Sequence, residues 1–444
     1  MSILRLAIPS PLRRLFDYLP PADLGEEAVA GLSPGQRLRV PFGKREVTGY
    51  LVSVETESNA PDGSLRRALE LLDPQPLVPP VLLSLARWAA VYYHHPPGEV
   101  YSAMFPRRLR EGKAHQALGE PGWELTTRGL GLPEEALGRS PRQAQALRLL
   151  QDGATTMAAL TTAGISAGVL RTLRDKGLAA PCSLACEPAA PTCLDGPELT
   201  KEQAGVVDTL LGQAQSFTCH LLEGVTGSGK TEVYLRLIAD CLQRERQALV
   251  LIPEIGLTPQ TLARFEARFE ATIAIFHSGL GAAARYRAWE AARDGSAHIV
   301  IGTRAAVFTP LARPGLIIVD EEHDGSYKQQ DGFRYSARDV AVKRGQLHDC
   351  PVLLGSATPS LESIHNAQCG RYQHHVLECR AGGAALPQIT VQDLRHQPLR
   401  GGLSAPLLEA IEQRLAAGQQ VLLFLNRRGY APTLQCHDCG WVAG

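Results

Sequence analysis

Residues 219–242 read CHLLEGVTGSGKTEVYLRLIADCL, and the fold turns on this stretch. CHLLE has the length and apolarity of a buried strand, and TEVYLRLIADCL reads as a helix. Between them Gly224, Val225, Thr226, Gly227, Ser228, Gly229, Lys230 and Thr231 fit G-x-x-x-x-G-K-[ST]. Glycines let backbone N–H groups curl around phosphates, and the N-terminus of the following helix adds positive potential. Lys230 is expected to reach the β- and γ-phosphates of a bound nucleotide and Thr231 to hold Mg²⁺. A glycine-rich turn without a nucleotide is the plain alternative, and the flanking strand and helix argue against it.

Working outward, the apolar runs QALVLIPE, TIAIFH, HIVIG, LIIVDEE and PVLLGS follow, with helical segments between most of them. Short continuous apolar runs alternating with helices predict a parallel α/β sheet covered on both faces. The run at 316–323, LIIVDEEH, ends in adjacent carboxylates. Asp320 is placed to hold Mg²⁺ through water, and Glu321 to orient or activate an attacking water. Carboxylates favoured at a helix N-terminus are the alternative reading. GSATPS at 355–360 puts Ser356 and Thr358 directly after another strand, where ligands bind in open α/β sheets.

The chain has 444 residues, which at roughly 150 per domain suggests about three domains. Apolar residues are 44% and charged residues 20%, so it holds enough apolar surface to build cores. Lys+Arg and Asp+Glu are 45 each, which argues against a uniformly basic nucleic-acid binder while leaving local basic patches open. No apolar stretch has the length of a membrane span, and the first residues lack the apolar core of a secretory signal. Ten cysteines are too sparse for a disulfide scaffold.

Residues 1–105 read as a small β domain, with a half-buried hairpin in Arg37 to Val54, then a short helix and the basic cluster Arg107, Arg108 and Arg110. Residues 106–190 carry two helical runs, ALTTAG and AGVLRTLRDKGLA, with Ser166 at an N-cap. That pattern fits a winged-helix unit or a plain helical linker domain. The segment with Cys182, Cys186 and Cys193 lacks a fourth ligand for zinc and reads as a linker. Residues 198–380 hold the parallel α/β lobe. From 381 to 444 a second α/β unit begins: a helix at about 404–417, the strand QVLLFL, then NRRGYAP and CHDCGW.

GVTGSGKT, DEEH and GSATPS, in this order, resemble the motor of superfamily 2 helicases. PEIGLTPQ and DEEHDGSYKQQ, with LTKEQ, FHSGL, IVIGTRAAVFTP and FLNRRGYAP, narrow the resemblance to the bacterial replication-restart DNA helicases over nearly the whole chain. The resemblance implies a RecA-like helicase lobe preceded by a β-rich DNA-binding domain and a winged-helix domain. It implies ATP and Mg²⁺ as cofactors, 3′-to-5′ unwinding at stalled forks, and primosome assembly. Its partners would be forks, D-loops and single strands, together with single-strand DNA-binding protein and other primosome proteins, in the cytoplasm at the nucleoid. Gln203 would read adenine. Phe16 and Asp17 would meet a 3′ DNA end; Asp17 reads equally well as a solvated turn carboxylate. Ser336 departs from the His expected in many relatives.

The same resemblance makes Asp324 to Arg338 an aromatic-rich loop coupling DNA to hydrolysis. Tyr327, Phe333 and Tyr335 alternate there with Lys328, Arg334 and Arg338, as rings on bases and cations on phosphates would require. A core-packed strand is the alternative. Cys436 and Cys439 form half of a tetrahedral zinc site, where the family binds two ions. Asn426, Arg427 and Arg428 resemble the first motif of a second motor lobe, whose later motifs would lie beyond 444. On that basis the chain is expected to bind DNA, to bind nucleotide weakly and to unwind poorly. The alternative function is a non-catalytic fork-binding module.

Overall fold

The computed structural model describes residues 2–58, 60, 64–117, 119–132, 140–184, 190–380, 388–395, 397–424, 436, 439, 441 and 442. It divides into two compact units, Met1–Gly383 and Ala384–Gly444. Asn426, Arg427, Arg428 and Cys186 lie outside the described residues.

The first unit opens with a six-stranded sheet: β1 (Ile3–Ala7), β2 (Phe16–Leu19), β3 (Arg37–Phe42), β4 (Arg45–Glu55), β5 (Arg66–Arg67) and β6 (Glu70–Leu71), in the order β5-β2-β1-β4-β3-β6. The expected hairpin is β3 and β4, paired from Arg37↔Tyr50 to Phe42↔Arg45. Leu38 and Val40 face the core with Leu4, Leu6 and Leu51, because alternate strand residues share a face. A short helix α1 (Glu26–Ala30) packs Val29 on this core.

Helices α2 (Pro80–Tyr92), α3 (Pro97–Ala103) and α4 (Arg107–Arg110) follow. Their buried residues, among them Leu82, Leu85, Val100 and Leu109, join one core with Trp289 and Phe308 of the α/β lobe that follows. The Trp289 indole N–H donates to the Met104 carbonyl (2.8 Å), and Gln116 N–H donates to the Tyr286 hydroxyl (2.9 Å). Under this seam Arg37 and Asp73 form a fully buried ion pair, 2.7 Å apart. Arg37 also donates to the carbonyls of Leu109 and Lys113, which ties β3 to the end of α4.

The middle segment builds a three-stranded antiparallel sheet from β7 (Glu120–Leu125), β8 (Thr155–Thr156) and β9 (Ala179–Leu184). Around it stand α5 (Thr127–Leu130), α6 (Pro141–Gln151), α7 (Met157–Thr162) and α8 (Ala167–Asp175). It has its own core of Leu147, Leu150, Leu160, Ile165, Leu170 and Leu173. The two predicted helices are α7 and α8. Ser166 stands at the N-cap of α8, but its side chain makes no cap bond.

A two-residue strand β10 (Thr192–Cys193) and helix α9 (Lys201–Gly212) lead into the parallel α/β lobe. There β11 (Cys219–Gly224), α10 (Lys230–Gln243), β12 (Gln247–Leu251), α11 (Pro259–Glu266), β13 (Phe269–Glu270), β14 (Ile273–Phe276), α12 (Ala282–Asp294), β15 (Ile299–Gly302), β16 (Pro314–Asp320), α13 (Ala337–His348), β17 (Val352–Ser356), α14 (Leu361–Gln368) and β18 (Gln373–Leu377) alternate. Seven strands form one parallel sheet in the order β14-β15-β12-β16-β17-β11-β18. Leu249, Leu251, Ile317 and Val319 face one core, while Ala248, Val250, Leu316 and Ile318 face the other. Both faces are covered, as the continuous apolar runs predict. Six of the strands are those runs. The seventh, β18, is an edge strand reading QHHVL, in which only Leu377 is buried, so it carried no apolar signal. No helix among the described residues is long and apolar enough to cross a membrane.

The second unit holds a small hairpin, β19 (Leu399–Arg400) and β20 (Leu403–Ser404), and the helix α15 (Ala405–Ala416). The helix matches the expectation. The strand expected at QVLLFL does not form over 420–424. Leu422 is 93% and Phe424 82% exposed, because a strand needs a ladder partner and no described residue of this unit supplies one.

Two histidines, one buried and one half-buried, set an acid limit on the fold. His220 on β11 is 1% exposed, with Nδ1 3.2 Å from His375 Nε2 on β18. Burial, then the His375 charge, lowers it from 6.5 to about 4. Burial, then Arg344, lowers His348 from 6.5 to about 3. Above pH 6.5 both are neutral folded or unfolded. Below it only the unfolded chain takes up their protons, so stability is lost as pH falls from 6.5 toward 4. The loss through His220 is expected to be on the order of 2–3 kcal/mol. Urea unfolding of the full chain at pH 7 and pH 4.5 checks it, and His220→Gln should reduce the difference.

Candidate active site

The carboxyl ends of β11, β16 and β17 bring the candidate residues together, where open parallel sheets bind ligands. At the end of β11 the loop Gly224–Gly229 turns into α10. Gly229 sits at the helix N-cap with φ of 83°, a left-handed conformation that a side chain resists. The buried Lys230 ammonium donates to the Gly224 carbonyl (2.9 Å). Ser228 Oγ is buried without a partner, and a Cβ on Gly224 would stand 2.5 Å from it. The loop is thus a cradle of backbone N–H groups with an orphaned hydroxyl and a cation inside it, which fits a phosphate chain. The Thr231 hydroxyl and the Asp320 carboxylate are the hard oxygen donors that suit Mg²⁺.

Gln203 is 3% exposed and closes the loop from behind. Its carbonyl accepts from Thr200 N–H (2.9 Å) in a capping box that starts α9. Its amide donates to the Ser228 carbonyl (2.8 Å). The expected adenine reader is therefore engaged with the loop itself.

Asp320 ends β16. Its Oδ1 accepts from the Tyr234 hydroxyl (2.9 Å), one helical turn beyond Lys230 on α10. That hydroxyl fits only because residue 355 on β17 is glycine: a Cβ there would stand 1.7 Å from it. Burial lifts the Asp320 carboxyl above its ordinary range and the Glu321 charge adds to this, against the Tyr234 bond and the Lys230 charge. Tyr327 places its hydroxyl 2.6 Å from the Asp320 carbonyl and 2.9 Å from that of Leu251.

The next three residues diverge. Glu321 takes φ of 46°, a left-handed conformation costing about 1–3 kcal/mol in a non-glycine residue, and its side chain is partly open. Glu322 points inward at 2% exposure. It accepts from Ser360 N–H (2.7 Å), Ser360 Oγ (3.0 Å), Ser363 Oγ (2.9 Å) and Arg338 Nη1 (3.2 Å). His323 Nδ1 lies 2.7 Å from Ser356 Oγ, which also accepts from Thr358 N–H (2.9 Å). The acidic box and the GSATPS segment are one hydrogen-bonded unit.

The aromatic loop corrects one expectation. Tyr327, Phe333 and Tyr335 are 2%, 8% and 5% exposed. Phe333 meets the rings of Tyr93, Phe308 and Tyr335 at 5.9, 5.8 and 4.8 Å between centroids. These rings pack the core and are not stacking platforms for bases. Arg338 is corrected with them, because its guanidinium is taken by Glu322, Asp339 and Ser360. Lys328 and Arg334 remain exposed. Ser336 caps α13, its side chain accepting from Asp339 N–H.

On the N-terminal sheet, Phe16 is half-buried against Phe42 (5.2 Å), with Arg14 over its ring (4.9 Å). Asp17 accepts from Arg5 Nε (3.0 Å) and Ser58 Oγ (2.6 Å). Burial pushes its carboxyl up, but those bonds and the Arg5 charge hold it below the ordinary range. Cys436 is half-buried and Cys439 exposed. Among the described residues no group of three His, Cys, Asp or Glu could hold a metal. Two thiols do not complete a structural zinc site.

Tyr234, Gly355, Ser360 and Ser363 escaped the sequence reading. The spacing of four from Lys230 to Tyr234 was the available signal for the first. Ser360 and Ser363 matter only because β17 runs beside β16.

A model described as the 3'DNA-binding domain (3'BD) matches residues 5–106, and one for the DEAD/DEAH box helicase matches 200–367. The replication restart protein PriA of Haemophilus influenzae is 43% identical over the whole of this chain and 61% of its own length. That of Chlamydia pneumoniae is 34% identical over 97% of this chain and 59% of its own, and that of Bacillus subtilis 46% identical over half of this chain and 28% of its own. The chain thus spans about three fifths of the length of the relatives it matches end to end. Together with the paired nucleotide loop and acidic box, these matches assign the chain to the family of replication restart proteins PriA.

Proposed function

We propose that the chain works as an ATP-dependent 3′-to-5′ DNA helicase that recognises stalled or abandoned forks and starts replication restart through primosome assembly. The observation that carries this is the hydrogen-bonded unit of acidic box and GSATPS segment, set in the same sheet edge as the phosphate loop. In this reading residues 1–105 hold a 3′ DNA end, 106–190 meet duplex DNA, 198–380 bind ATP, and 381–444 begin a second lobe. Its partners are fork DNA, single strands, single-strand DNA-binding protein and other primosome proteins, in the cytoplasm.

The loop N–H groups and Lys230 grip the triphosphate. Thr231 and Asp320 would hold Mg²⁺, which when bound would supply charge neutralisation for phosphoryl transfer. Tyr234 and Tyr327 fix Asp320 from its side chain and its carbonyl. Glu321, the one carboxylate of the box that is neither hydrogen-bonded inward nor given to the metal, orients the attacking water. Glu322 and His323 transmit the state of the site to Ser360 and Ser356.

The test is ATP turnover by this chain with and without single-stranded DNA. Stimulation by DNA is expected; turnover indifferent to DNA would leave an unrelated ATPase and reject the reading. Gel-shift comparison of forks with and without a 3′ leading-strand end tests the role of the N-terminal sheet. Tyr234→Phe is expected to raise the Mg²⁺ concentration for half-maximal turnover and lower kcat about tenfold or more, since hydrogen bonds to charged groups contribute about 1.5–3 kcal/mol. A Mg²⁺ titration reads both.

A further inference from the structure

The phosphate loop has two flanks. In the strand order β16-β17-β11-β18, the acidic box stands on one side of β11 and the edge strand β18 on the other. β18 runs parallel to β11, with Leu377 opposite Gly224. Past that pair the two chains stay together. Val225 N–H donates to the Leu377 carbonyl (3.3 Å). Cys379 N–H donates to Glu202 on α9 (3.2 Å), next to the Gln203 that closes the loop. The segment after β18 is thereby pinned along the loop, and it brings Arg380 beside Gly227.

The Arg380 side chain lies against the loop backbone: a Cβ on Gly227 would stand 4.0 Å from its Cγ. Gly227 takes φ of 84°, so the loop turns there with no side chain between its backbone and the arginine. Arg380 is half-buried, and its Nε is buried without a partner. The carboxylates of the adjoining elements do not serve it. Glu202 is held by the Cys379 N–H, Glu223 lies 2.9 Å from His374, and Glu378 is exposed. The Ser228 hydroxyl of the same loop is orphaned as well. Two unsatisfied polar groups at one loop are a cost that the fold itself does not explain. An anionic oxygen removes that cost, and the planar fork of an arginine matches phosphate in particular.

We propose that Arg380 is a second cation of the nucleotide site, gripping the phosphate chain from the β18 flank while Asp320 stands on the β16 flank. The inference rests on the ATP reading above and deepens it. The two flanks differ in kind. Asp320 meets phosphate only through a metal, whereas Arg380 brings its own positive charge. Its contribution therefore does not depend on Mg²⁺. No sequence signal marks this residue, because β18 is an exposed edge strand and only its parallel register with β11 carries Arg380 to the loop.

The test titrates the full chain with a fluorescent ATP analogue, in Mg²⁺ and again in EDTA. Arg380→Gln removes the charge and should weaken the analogue about tenfold or more under both conditions, because hydrogen bonds to charged groups are the strong ones. Arg380→Lys restores the charge without the fork and should recover part of the loss. Inorganic tripolyphosphate, competing against the analogue, should lose affinity for Arg380→Gln in the same proportion. The urea midpoint should stay where it is in the wild type, since the guanidinium holds no other part of the fold. Wild-type affinity in Arg380→Gln overturns the assignment and leaves the ATP reading standing. Unchanged competition by tripolyphosphate does the same, by putting the arginine on the base. A urea midpoint that falls along with the affinity also overturns it, by making Arg380 a structural residue. A wild-type chain that binds neither the analogue nor tripolyphosphate overturns both.

Discussion

Lys230→Ala is expected to lower ATP turnover about 10²–10³-fold and to weaken nucleotide binding in parallel. The ammonium is buried in the loop and is its one side-chain cation, so its loss removes the positive charge the loop itself offers to phosphate. Removing one preorganised donor from a developing anion carries that magnitude. Glu321→Gln is the informative contrast. It should keep nucleotide affinity and lose turnover about 10²–10⁴-fold, because Glu321 works on water and not on the bound phosphates. Binding of a fluorescent ATP analogue and release of phosphate separate the two. Equal loss of binding in both variants would show that the acidic box shapes the nucleotide pocket and does not serve hydrolysis.

Asp73→Ala is expected to destabilise the N-terminal sheet by about 3–5 kcal/mol. Asp73 and Arg37 are both fully buried, and removal of one partner strands the other charge away from water. Arg37 keeps only its bonds to the Leu109 and Lys113 carbonyls, which do not cancel a guanidinium charge. The effect should be local. Amide hydrogen exchange should accelerate in β3 and α4 and stay slow in β12 and β16. Replacing the pair together, Arg37→Met with Asp73→Leu, should recover most of the loss, because no buried charge is then left unpaired. Uniform acceleration across the motor would mean instead that the seam at α2–α4 is the keystone of the whole unit.

The parallel α/β lobe was legible in the sequence because its signals are local. A buried parallel strand must be a short apolar run, a phosphate loop must hold glycines at fixed spacing, and metal-binding carboxylates must end a strand. Six strands, the loop at 224–231 and the acidic pair at 320–321 all followed from such rules. The edge strand β18 did not, since one exposed face and one free edge ask nothing apolar of QHHVL. QVLLFL shows the reverse failure: an apolar run promises a strand, but only a partner strand makes one.

What a side chain touches across the fold was not legible. Tyr327, Phe333 and Tyr335 read either as an aromatic ladder for bases or as a core-packed strand, and burial, with Phe333 and Tyr335 against Tyr93 and Phe308, decides for core. Glu322 reads like Glu321, its neighbour by one residue. The parallel pairing of β16 with β17 turns one into an anchor held by two serines and an arginine, while the other stays partly exposed, 3.6 Å from His323. Sequence alone determined which chemistry this chain carries, because residue type and spacing fix what a loop can bind. Tertiary structure alone decided that the adjacent Glu322 is a buried anchor, because burial and hydrogen bonding come from segments far away in the chain.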